Sequence, residues 1–124
     1  MRDERALTER VIGCAIEVHR TLGPGLLESI YEECLCSELE QASIPYSHQV
    51  PLPLVYKNRR LDGEYRIDLV IADTAVIEVK AIEQLRPVHD AQLLTYLRLS
   101  GLRLGLILNF GSVLLKEGFR RLVL

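Results

Sequence analysis

Three ionisable side chains, Asp68, Glu78 and Lys80, lie in the stretch YRIDLVIADTAVIEVKA, residues 65–81, which otherwise reads as two short apolar strands. Strand side chains alternate between faces, so the register of the hairpin decides whether these charges meet. A two-residue loop of Asp73 and Thr74 would set Leu69 against Glu78 and Ile67 against Lys80, mixing ions into an apolar face. A three-residue loop of Ala72, Asp73 and Thr74 instead sets Asp68 across from Glu78, Arg66 across from Lys80 and Val70 across from Val76. The opposite face then carries Ile67, Leu69, Ile71, Ala75, Ile77 and Val79 without a charge. Hairpin loops of this length are common, so the pattern favours the second register.

Two carboxylates that face each other repel unless a cation lies between them. Hard oxygen donors of this kind suit Mg²⁺ or Mn²⁺ better than zinc. Lys80 shares the face of Glu78, placed to orient or help deprotonate a water or to offset charge on a phosphate. Such a set is the constellation expected for phosphodiester hydrolysis. The alternative from the same residues is an exposed strand face laced with salt bridges.

The elements that must position these groups follow from periodicity. Leu7, Val11, Cys14, Ala15, Val18 and Leu22 describe an amphipathic helix with Arg5, Glu9, Glu17 and Arg20 on its wet side, stopped by LGPGL. A second helix is expected from about Leu26 to Ala42, with Ile30, Cys34, Leu35 and Leu39 inward. HQVPLPLVYKNRRLDGEY reads as one extended segment, an edge strand because Pro51 and Pro53 cannot donate to a ladder, closed by a turn at NRRLDG. After the hairpin comes a third helix that Pro87 starts and Gly101 stops. A buried strand, LRLGLILNFG, and a final edge strand in GFRRLVL complete the order ααβββαββ. The expectation is an α/β chain with a mixed central sheet of about five strands flanked by helices.

A chain of 124 residues is about one domain. Its 15 lysines and arginines against 17 aspartates and glutamates leave no global field for a polyanion, so any nucleic-acid contact must be local. Cys14, Cys34 and Cys36 are too few and too oddly spaced for a disulfide framework, which suggests reduced thiols and a cytoplasmic protein. No uninterrupted apolar stretch reads as a signal peptide or membrane span.

The spacing Asp68, nine residues, Glu78-Val79-Lys80 resembles the PD-(D/E)XK nuclease superfamily, with Ile67 where the signature has proline. GLLESIY, Gly25 to Tyr31, is similar to the motif that names the GxxExxY proteins, a compact branch of that superfamily. The resemblance covers nearly the whole chain and implies a nuclease-like core. It makes Glu28 the acidic residue of an early helix, a metal ligand alongside Asp68 and Glu78, and Tyr31 its brace or a substrate contact. Gln92 and Tyr96 lie four apart on one helix face, with His89 one turn earlier; QLLTY resembles the glutamine-and-tyrosine motif of RecB-like exonucleases. By that likeness Gln92 bonds a metal-bound water or a phosphate and Tyr96 contacts substrate; Arg66, on the polar face of the hairpin, is a further candidate for substrate contact. His89 alone reads as a solvated side chain.

The leading expectation is a Mg²⁺- or Mn²⁺-dependent nuclease acting on DNA or RNA, with Lys57, Arg59 and Arg60 among the basic residues able to touch phosphates. Two alternatives are a nuclease-fold binding or assembly module, with strand edges and the RRLVL end as a homodimer surface, and a metal-binding protein without turnover.

Overall fold

The computed structural model describes residues 4–61 and 65–124. Helix α1 spans Glu4–Leu22 and α2 Glu28–Gln41; α3, Pro87–Ser100, follows strands β1 Tyr46–Pro51, β2 Leu54–Tyr56, β3 Arg59–Leu61, β4 Arg66–Ile71 and β5 Ala75–Lys80. Strand β6, Leu104–Asn109, a short 3-10 turn at Leu115–Glu117 and β7, Phe119–Val123, complete the chain. Five strands form a mixed sheet in the order β1-β4-β5-β6-β7, with β2 and β3 paired separately. Only β5 and β6 run parallel, and α3 makes the crossover that a parallel pair needs.

The sheet divides two cores. On one face, α1 and α2 bury Val11, Ala15, Tyr31, Leu35 and Leu39 against Leu69, Ile71, Ile77 and Val79. On the other, α3 buries Leu93, Tyr96 and Leu97 against Val76 and Ile107. β6 sits between them with all six residues buried, as its unbroken apolar run predicts. β1, which ends on Pro51, and β7, which carries Arg120 and Arg121, are the edges. Cys14, Cys34 and Cys36 are free, and burial pushes the Cys14 and Cys36 thiols up, away from reactivity. Among the described residues, no helix is long and apolar enough to cross a membrane.

Three expectations are corrected. Helix α2 begins at Glu28, and its inward face is Tyr31, Leu35, Cys36 and Leu39, whereas Ile30 is exposed and Cys34 only half-buried. Tyrosine can enter a core when its hydroxyl is bonded, and Tyr31 donates to Gly23 O at 2.5 Å and accepts from Leu26 N at 3.1 Å. The extended segment is split: Lys57 and Asn58, with φ of 47° and 66°, turn β2 back onto β3. Consecutive left-handed residues make the turn that matches strand twist, so Arg59 and Arg60 lie in a strand. The Asp62-Gly63 part of the expected turn lies outside the described residues. Finally, Ile67 joins the α3-side cluster beside Val76, at the point where β4 leaves β5.

A polar clamp fixes the end of β5. Buried Asn109, at the end of β6, accepts from Ile82 N at 3.0 Å and Gly111 N at 3.1 Å, and donates to Ile82 O at 3.0 Å. Phe110 N also donates to Lys80 O at 2.8 Å. The chain passes so close that a Cβ on Gly111 would stand 2.1 Å from the Ile82 carbonyl oxygen. Gly111→Ala should therefore destabilise by about 1–3 kcal/mol, the usual range for overpacking, by urea denaturation. Gly13→Ala, whose Cβ meets nothing within 4 Å in helix α1, should stabilise by about 0.5–1 kcal/mol. Equal effects at the two positions would remove the close approach as the cause.

Candidate active site

Strands β4 and β5 pair Ile71 with Ala75, Val70 with Val76 and Leu69 with Ile77, the register of the three-residue loop. Ala72 and Asp73 take left-handed conformations, and Thr74 N donates to Ile71 O at 2.9 Å to close the turn. The backbone ladder stops at Leu69–Ile77, and side chains continue it. Asp68 N donates to Glu78 Oε2 at 3.1 Å, and Val79 N donates to Asp68 Oδ2 at 2.8 Å. Each carboxylate thus satisfies an amide that the parting strands would leave bare. Arg66 does not pair with Lys80 as the extended register predicts; it is exposed and pairs with Pro51 of β1.

Burial dominates the electrostatics of this gap. Glu78, only 5% exposed, has its carboxyl pushed up to about 8, chiefly by desolvation and then by the charge of Asp68. The Asp68 N–H and Lys80 act against that rise. Asp68 is raised to about 6, again mainly by burial; the Val79 N–H opposes, and Glu32 adds repulsion. Lys80 Nζ donates to Gln92 Oε1 at 3.4 Å, and Gln92 Nε2 donates to Tyr96 OH at 3.2 Å. Burial also raises the Tyr96 phenol, with the Glu78 charge as the next cause. Helix α3 therefore brings Gln92 and Tyr96 beside the hairpin's Lys80.

Other expected residues fall elsewhere. Glu28 is exposed at the start of α2, and its side chain makes no hydrogen bond among the described residues, although its charge contributes to the rise at Asp68. Tyr31 is fully buried, stacked on Phe110 at 4.7 Å between ring centroids, and holds the loop that leads to Glu28; it offers substrate no surface. His89 Nδ1 accepts from Arg86 N at 2.9 Å and so caps α3. Sequence reasoning missed Glu32, which is 8% exposed and pairs with His48 Nε2. Gln49 Nε2 donates to Glu32 Oε2 at 2.6 Å. The signal was available: Glu32 stands four residues after Glu28, on the same helix face.

Among the described residues, no three His, Cys, Asp or Glu side chains form a ready metal cage. Two facing carboxylates nonetheless fit Mg²⁺, which keeps several waters and is commonly held by one or two carboxylates plus substrate phosphate. A divalent ion would also offset the like-charge repulsion that adds to burial in raising both carboxyls.

A family model described as the PD-(D/E)XK nuclease superfamily matches residues 5–122, from the first turn of α1 to the end of β7. The chain belongs to that superfamily. No curated protein and no solved structure matches it. PD-(D/E)XK proteins are typically metal-dependent, consistent with hard donors at the hairpin. The two N-terminal helices and the mixed five-stranded sheet with its helix are consistent with the α/β core of that superfamily.

Raised carboxyl values carry a sign for stability. Without metal, folded Glu78 holds its proton up to about pH 8, whereas the unfolded chain releases it near 4.5, so its contribution to stability falls as pH rises between those values. In chelator, Glu78→Gln should raise Tm by a few degrees at pH 8, and the gain should shrink as pH falls toward 4.5. Scanning calorimetry that shows no gain at pH 8 would contradict the buried repulsion.

Proposed function

We propose that the protein is a metal-dependent nuclease of the GxxExxY branch, hydrolysing phosphodiester bonds of DNA or RNA. The observation that carries this reading is the exchange between strands: half-buried Asp68 and buried Glu78 each bond the other strand's amide, with Lys80 beside them. Asp68 and Glu78 would hold Mg²⁺ or Mn²⁺, with Glu28 a further acid at the mouth. The ion supplies positive charge for the phosphate and its attacking water. Lys80, held by Gln92, adds a cation against the phosphate and orients water. Tyr96 fixes Gln92 from the α3 side.

Substrate contact would come from the open end of the β1–β4 pair. The β2–β3 hairpin leaves the sheet just past Pro51 and returns just before Arg66, two residues from Asp68. Lys57, Arg59 and Arg60 are exposed on it, and Lys57 lies 5.4 Å over the Tyr56 ring. Cations on a projecting strand pair suit contacts to a phosphate backbone.

The activity is tested with labelled single-stranded and duplex DNA and RNA in Mg²⁺ or Mn²⁺. Asp68→Ala and Lys80→Ala should each lower turnover by about 100-fold or more, the scale of one lost electrostatic contact at a reacting centre. No turnover on any substrate, with metal binding intact, would leave a metal-binding module. Replacing Lys57, Arg59 and Arg60 together with glutamate should weaken nucleic-acid binding and flatten its dependence on salt, by about 0.7–0.9 in logarithmic slope per lost phosphate contact. An unchanged slope would remove the hairpin from the interface.

A further inference from the structure

Gln49 occupies a place in β1 where a regular strand would not put it. The β1–β4 register, His48 with Leu69 and Val50 with Ile67, sets Gln49 beside Asp68, yet that pair is missing from the ladder. Instead Gln49 has φ 53°, a left-handed conformation that non-glycine residues rarely take inside a strand. The consequence is visible at Glu32. Adjacent strand residues normally point to opposite faces, but His48 and Gln49 both reach Glu32 Oε2. The kink brings the Gln49 amide between buried Glu32 and half-buried Asp68. Its Nε2 is 2.6 Å from Glu32 Oε2 and 3.5 Å from Asp68 Oδ1, so one NH₂ group faces both carboxylates. Asp68 Oδ2 is already taken by the Val79 N–H, so Gln49 addresses the oxygen left over for a ligand.

We infer that Gln49 is a positioning residue: its strained backbone swings its amide between Glu32 and Asp68, aiming Asp68 Oδ1 and drawing buried Glu32 in as a third carboxylate. The inference rests on the proposed metal site and adds the device that holds it open. Strain of this kind persists only where surrounding contacts impose it, and here the contacts are the two acids. A neutral amide donor suits the task, because it orients both carboxylates without cancelling the negative charge a cation would use.

The test is Mn²⁺ titration calorimetry of the full chain with wild type, Gln49→Gly, Gln49→Asn and Asp68→Ala, paired with Tm. Glycine accepts φ 53° freely, so Gln49→Gly should keep or raise Tm while weakening Mn²⁺ by about 10–100-fold, the range for loss of a partner behind a metal ligand. Asparagine tolerates the same backbone but is one methylene shorter, and should weaken Mn²⁺ comparably. A merely structural glutamine predicts the reverse, a lower Tm with unchanged affinity. Wild-type binding that Asp68→Ala abolishes, with both Gln49 variants within about twofold of wild type, would overturn this inference alone. Absence of Mn²⁺ binding in the wild type would overturn it together with the metal-site reading.

Discussion

Two acids are drawn together, largely out of water, where β4 and β5 part, and the rest of the site is arranged around that cost. A regular antiparallel ladder would set Asp68 and Glu78 on one face and spend the strand amides on backbone carbonyls. Here the ladder ends at Leu69–Ile77 and the amides of Asp68 and Val79 turn to the carboxylates instead. Two backbone hydrogen bonds to the carboxyl oxygens recover part of the desolvation, and both carboxyls still lie well above the ordinary carboxylate range. A fold that keeps such a pair is poised to gain from a divalent cation.

The surrounding elements act on the pair from three sides. From α3, Gln92 restrains Lys80, the nearby cation that lowers both carboxyls, and is itself tied to buried Tyr96. From β6, Asn109 pins the backbone just after Lys80, so that end of β5 cannot drift from the helix that faces it. From α2, Glu32 brings a further negative charge, linked through His48 and Gln49 of the edge strand. Each contact crosses between elements distant in sequence, which makes the pocket a product of the fold as a whole.

Much of this was legible in the chain. Alternation of charge and apolar residues over 66–80 specifies the hairpin register because a one-residue slip would carry ions into the core. Pro87 and Gly101 bracket α3, and the unbroken run at Leu104–Asn109 announces a central strand. The misses have physical causes. Helix α2 carries isoleucine, cysteine and leucine around much of its circumference, so periodicity could not fix its inner face; the bonded hydroxyl of Tyr31 decided it. The same rotation moves the weight of the acidic helix from exposed Glu28 toward buried Glu32. The kink at Gln49 and the turn at Lys57-Asn58 need left-handed residues that are not glycine, and composition gives no warning of those.

The central claim is that one divalent ion sits between the carboxylates of Asp68 and Glu78. Anomalous difference density from crystals soaked in Mn²⁺ tests it most directly. The account predicts one strong peak about 2.0–2.3 Å from a carboxylate oxygen of each residue, with waters filling the remaining positions. Density that is absent from this gap, or that touches only one of the two side chains, would contradict it.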